Sequence, residues 1–204
     1  QFEDEQKTIS QTLTEKKVSA KDFADQIQIQ VTPLTEPEKY NVSFVWPKLE
    51  AGSRVRITLN KTVVTIESDQ TGFKQDVAHN QSALYFFEIL NKNNNLIKTF
   101  SKNIVIPRDF VVREGQSEFF EKTELNVNRF FLNHDIPLTT NGQEVTINAN
   151  ELISDEAIIQ TFIEKNKAAP SSNGRNGGKI TINAKNAVGK LDIFMRGEHG
   201  GNGL

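Results

Sequence analysis

Glu144-Val145-Thr146-Ile147-Asn148-Ala149-Asn150 and Lys179-Ile180-Thr181-Ile182-Asn183-Ala184-Lys185 are two statements of one phrase, 35 residues apart. An Asn-Gly pair stands one residue ahead of each, at Asn141-Gly142 and at Asn176-Gly177. Inside the phrase apolar and polar residues alternate, which is the period of a strand with one buried face. A strand phrase recurring at a fixed offset is the mark of stacked structural repeats, and so of a β-solenoid. Reading each 35-residue offset as two turns of about 17–18 residues predicts a short parallel stack of about four rungs.

The surrounding segment, 125–204, carries the same pattern in shorter bursts: Leu125 and Val127, Ile136 and Leu138, Leu191 and Ile193. Asn crowds the burst edges, at Asn133, Asn141, Asn176 and Asn186 among others. Asn tolerates the left-handed backbone region and bonds its own main chain, so it suits corners between strands. Residues 155–167 place Ile158, Ile159, Phe162 and Ile163 at helical spacing and are predicted to form a short helix or an irregular excursion. The segment resembles a right-handed parallel β-helix.

Upstream, residues 26–107 read as an antiparallel sandwich of about seven short strands. Ile27, Ile29 and Val31 alternate with Gln; Tyr40, Val42, Phe44 and Trp46 alternate again, up to Pro47; Val55, Ile57 and Leu59 follow. A dense run spans Leu84 to Leu90, and Leu96 to Ile106 completes the set. Val42-Ser43-Phe44-Val45-Trp46-Pro47 resembles the second strand of a fibronectin type III domain. Tyr85-Phe86-Phe87-Glu88-Ile89-Leu90-Asn91 resembles its sixth, opening on the Tyr of a tyrosine corner. The resemblance implies burial of Trp46 and Tyr85, with the Tyr85 hydroxyl bonded to backbone. It leaves function open, because such sandwiches bind, space and scaffold alike.

Two further segments complete the chain. Residues 1–25 read as a flexible arm with a helical turn near 19–25, serving as a surface tether or simply ending the chain. Residues 108–124 read as a charged connector in which Phe110, Val111, Val112, Phe119 and Phe120 are partly packed, or else meet a partner. The Gly-rich run Arg196-Gly197-Glu198-His199-Gly200-Gly201-Asn202-Gly203 has the style of bacterial surface-protein repeat regions; a tail or boundary reads the same way. Whether the N-terminus bears a lipid anchor stays open.

The 24 basic and 26 acidic residues leave a net charge of −2, which is no footprint for nucleic acid. No apolar run reaches the roughly 18 residues of a membrane helix. There is no cysteine, so disulfides, thiolate chemistry and Cys-based zinc sites are out. The three histidines, His79, His134 and His199, stand far apart, and no phosphate loop, nucleophile elbow or calcium nonapeptide is present. The faces of the repeat carry Thr146, Asn148, Thr181 and Asn183, which cannot do general acid–base work at neutral pH. Asp192 and Glu198 read as isolated acids. No catalytic, metal or cofactor residue is therefore assigned, and no ligand-binding residue is fixed.

The expectation is a secreted or cell-surface bacterial protein of two all-β domains, acting in adhesion or interaction without catalysis. Surface glycans, cell-envelope components or further copies of the chain are the expected partners. The alternatives are a carbohydrate-active enzyme or carbohydrate-binding module of the β-helix type, and a purely structural spacer.

Overall fold

A computed structural model describes residues 23–114, 123–165 and 167–202. The chain is all-β and divides into two compact units at Ile106/Pro107. Most of the expected N-terminal arm, together with Phe119 and Phe120, lies outside the described residues.

The first unit opens with a single helical turn, α1 (Phe23–Gln26), followed by β1 (Gln28–Pro33), β2 (Lys39–Val45), β3 (Arg54–Leu59), β4 (Thr62–Glu67), β5 (Gly72–Ala78), β6 (Gln81–Leu90) and β7 (Leu96–Ile106). Two antiparallel sheets form, one in the order β1-β2-β5 and one in the order β4-β3-β6-β7. Their apolar faces share one core. Tyr40, Val42 and Phe44 come from the first sheet; Val55, Ile57, Tyr85, Phe87 and Ile89 come from the second. Strict alternation in β2 and β3 sends every second residue inward, because successive side chains of a strand point to opposite faces. Asn60 and Lys61, both at positive φ, make the two-residue turn between β3 and β4.

Trp46 is buried, as the sequence predicts, and its ring lies 5.6 Å from that of Phe23. The expected arm therefore ends in a core residue: Phe23 is fully buried and also meets Phe100. The Tyr85 ring is buried against Phe44 at 4.8 Å, but the expected backbone bond is missing. Its hydroxyl has no hydrogen-bond partner among the described residues. Buried without a partner, the hydroxyl leaves its desolvation uncompensated.

Burial raises the Tyr85 pKa above its usual value of 10.0, because the phenolate is disfavoured there. The unfolded chain then ionises first, so stability should begin to fall above pH 10 and be lost progressively up to the folded pKa. Tyr85→Phe is expected to stabilise the protein by about 1 kcal/mol at neutral pH and to flatten that alkaline loss. Urea melts of both proteins between pH 8 and pH 11 check this. An unchanged alkaline slope would contradict it.

The second unit is a parallel sheet of stacked strands. β8 (Asp109–Val111), β9 (Glu124–Leu132), β11 (Val145–Gln160) and β12 (Ile180–Phe194) lie side by side, and the short β10 (Leu138–Thr139) pairs with the far half of β11. The two copies of the repeated phrase are direct neighbours: Val145 pairs with Ile180, Ile147 with Ile182, and Asn148 with Asn183. The 35-residue offset is thus one step of the stack, where the sequence reading made it two. The preceding step is shorter, since Thr146 pairs with Glu124. The additional length between β11 and β12 leaves the sheet after Gln160 and returns at Ile180.

Two other expectations change here. The stretch predicted as a helix or excursion is strand as far as Gln160. A bulge at Asp155 and Glu156, with Glu156 at φ 47°, shifts the register so that Ala157 and Ile159 still point inward. Half-buried Ile158 next to inward Ile159, with buried Phe162 in the bend past the strand's end, imitates helical spacing. The first part of the expected connector supplies β8, and Phe110 stacks on Phe130 at 5.5 Å within the second core. Phe110, Val111 and Val112 are all buried. Across the bulge, β12 answers with Gly189 at φ 91°, where a Cβ would fall on the carbonyl oxygen of Ser154. Only glycine fits that corner.

Asp109 on β8 and Arg129 on β9 form a buried ion pair that the sequence did not announce. The Arg129 guanidinium donates to Asp109 Oδ2 from Nη2 at 2.6 Å and from Nε at 3.0 Å. Its plane also lies 5.0 Å from the Phe131 ring.

Candidate functional site: an asparagine ladder

One face of the parallel sheet carries a row of amides. Asn126 on β9, Asn148 on β11 and Asn183 on β12 share one register position. Strict in-register stacking places identical side chains one strand spacing apart, close enough for each amide to bond the next. Asn183 Nδ2 donates to Asn148 Oδ1 at 2.8 Å, and Asn148 Nδ2 donates to Asn126 Oδ1 at 2.8 Å. The row ends on Glu124, whose Oε1 accepts from Asn148 at 3.0 Å and from Asn126 at 3.3 Å. A parallel contact joins Asn150 Nδ2 to Asn128 Oδ1 at 2.9 Å. Thr146 and Thr181 pair on the same face two residues before Asn148 and Asn183.

These groups line an open groove of about 590 Å³, with Asn126, Asn148, Asn150, Asn183 and Lys185 as its polar walls. Amides give and accept hydrogen bonds without carrying charge, so the groove matches ligands rich in hydroxyl groups. Lys185 adds one positive charge to the lining, and Glu124 is bonded to two of its amides.

Of the residues singled out in the sequence, Thr146, Asn148, Thr181 and Asn183 come together on this face. The three histidines do not. His79 Nε2 lies 3.5 Å from Glu38, His134 Nδ1 lies 3.3 Å from the Glu156 carbonyl, and His199 Nε2 lies 2.9 Å from the Glu164 carbonyl. Asp192 and Glu198 are not isolated. Asp192 lies 3.4 Å from Lys190, and Glu198 accepts from Nε and Nη2 of Arg175 at 2.9 and 3.0 Å. That contact raises the Arg175 pKa above its usual value and holds the Gly-rich segment against the loop at 170–178. Among the described residues, no three His, Asp or Glu side chains gather in a metal-binding group, and no helix is long and apolar enough to cross a membrane.

Sequence reasoning missed Asn126 and Glu124. The signal was there: Leu125-Asn126-Val127 repeats the apolar-Asn-apolar order of Ile147-Asn148-Ala149. It also missed a second surface. On the outer face of the β4-β3-β6-β7 sheet, Phe86 is 50% exposed, beside a hollow of about 390 Å³ that includes Glu88, Thr99 and Ser101. Leu84, Val63 and Val105 are exposed too. The four successive residues Leu84-Tyr85-Phe86-Phe87 encode this, since a stretch of strand apolar at consecutive positions is apolar on both faces.

No family model, curated protein or solved structure matches the chain.

Proposed function

We propose that this chain is a non-catalytic interaction protein of a bacterial cell surface or the extracellular medium, and that its amide-lined groove contacts surface glycans. The observation that carries the reading is the groove itself. Neutral amide donors and acceptors stand at a regular spacing along the sheet, and among the described residues that line the groove there is no carboxylate. The strand order β1-β2-β5 against β4-β3-β6-β7 supports a fibronectin type III-like first domain. The in-register parallel stack supports a β-solenoid second domain. Together they fit a spacer that presents a contact surface, in the manner of Gly-rich surface proteins. The exposed Phe86 and Leu84 offer a separate apolar contact.

A glycan array followed by a turnover assay tests this. Purified protein should bind one class of neutral or acidic polysaccharide at roughly micromolar to millimolar affinity. Asn148→Ala and Lys185→Ala should weaken that binding. No new reducing ends or unsaturated sugars should appear. Their appearance, lost on Glu124→Gln, would replace this reading with the β-helix carbohydrate-active enzyme. Absence of binding to every glycan would favour the structural spacer.

A further inference from the structure

The stack is finished on one side of β11 and unfinished on one side of β12. β11 lies between β9 and β12, and its inward residues Val145, Ile147, Ala157 and Ile159 are fully buried. The residues of β12 in the same register do not reach that state. Ile180, Ile182 and Leu191 are only half-buried, and Ile193, the counterpart of fully buried Ile159, is 46% exposed. Among the described residues β12 pairs with β11 alone, so a 15-residue strand keeps an open edge. Such edges are templates for another strand.

The backbone and the ladder say what kind of strand fits. Val145 N–H donates to the Lys179 carbonyl, so alternate residues of β12 turn their main-chain groups to β11 and those between turn outward. Ile180, Ile182 and Ala184 are the outward ones. The asparagine row also has a direction. Each amide donates toward β9, which leaves Asn183 Oδ1 as the one ladder acceptor with no donor among the described residues. The interface already formed between β11 and β12 sets Ile on Ile, Thr on Thr and Asn on Asn.

We propose that the open edge of β12 docks a further parallel β-strand with the pattern of β12 itself, apolar at alternate positions, with an asparagine that donates to Asn183 Oδ1. This would be strand addition, with main-chain bonds supplying affinity and the amide and Ile positions supplying register. It does not depend on the glycan reading, because it uses the strand edge and not the groove.

The test adds a fluorescent synthetic peptide with the sequence of residues 179–194 to the whole chain and follows its anisotropy. Saturable binding is expected. Asn183→Leu made in the peptide alone should weaken it about five- to tenfold, the worth of one lost amide bond. Ala184→Pro in the protein should abolish binding, since it removes an outward N–H but no bond to β11. Far-UV circular dichroism shows whether that variant is folded, and the peptide substitution leaves the protein untouched in any case. A spin label at the peptide's N-terminus should broaden resonances near Ile180 and leave those near Phe194 sharp. Overturning results would be no saturable binding at millimolar peptide, equal binding of the Asn183→Leu peptide, or broadening near Phe194, which means antiparallel docking. Dimerisation of the peptide-free chain that Ala184→Pro abolishes would also overturn it, making a second copy the occupant.

Discussion

Asp109→Ala is expected to destabilise the parallel-sheet unit by about 3–5 kcal/mol, the usual cost of breaking a buried ion pair by removing one member. Asp109 is fully buried at its side chain, and Arg129 is only 5% exposed. The guanidinium cannot reach water without breaking the contact of β8 with β9, where Phe110 stacks on Phe130. Asp109→Asn should cost less, because the amide oxygen still accepts one bond. The double variant Asp109→Leu/Arg129→Met should recover most of the loss, since an apolar pair of similar volume often replaces a buried ion pair without penalty. Urea denaturation followed by far-UV circular dichroism measures all three. A loss below about 1 kcal/mol for Asp109→Ala would show that the pair is solvated, contrary to its geometry.

Phe44→Ala should cost the first unit a similar amount, about 3–5 kcal/mol. Phe44 is fully buried and joins the two sheets. Its ring meets Tyr85 at 4.8 Å and Phe87 at 5.3 Å edge-on, and lies 6.4 Å from Phe73 on the neighbouring strand. These arrangements suit the ring quadrupole and add to the burial term. Removing the ring opens a cavity that rigid strands on both sides cannot close. The chain has a single Trp, Trp46, two residues further on, so intrinsic fluorescence reports this unit directly. The midpoint in urea should fall while the slope is kept. A midpoint unchanged within error would mean that the two sheets do not share this core.

How much of this could be read from the chain varied with the physics of each element. β2 and β3 were legible because one buried face imposes strict alternation, and the same rule exposed the twin phrases of β11 and β12. β5 was faint: Phe73 and Val77 are its only large apolar residues, and pairing with Phe44 and Tyr40 of β2 completes it. The second half of β11 was misread because half-buried Ile158 stands beside inward Ile159 and buried Phe162 falls in the bend just past the strand's end at Gln160, a set that falls on helical spacing. Phe23 was missed because one aromatic ring has no period. The partnership of Asp109 with Arg129 was out of reach for another reason. A buried charge looks like any surface charge in a sequence until strand pairing brings its partner across. The ladder stood in between: Asn148 and Asn183 were marked, but the shorter step to β9 hid Asn126 from any search at one fixed offset.

The parallel stack also governs the order in which the unit can assemble. Each strand pairs with one laid down shortly before it: Arg129 with Asp109, Thr146 with Glu124, Ile180 with Val145. Among the described strands of this unit, none waits for a partner from the far end of the chain. Loop closure is therefore a short, repeated expense and never one large one. A chain emerging from its N-terminus could add rungs in the sequence in which they are made, each completed edge serving as the mould for the next. Failure would then be directional as well. A fault at β9 should stall everything after it, whereas one at β12 would leave the earlier rungs standing.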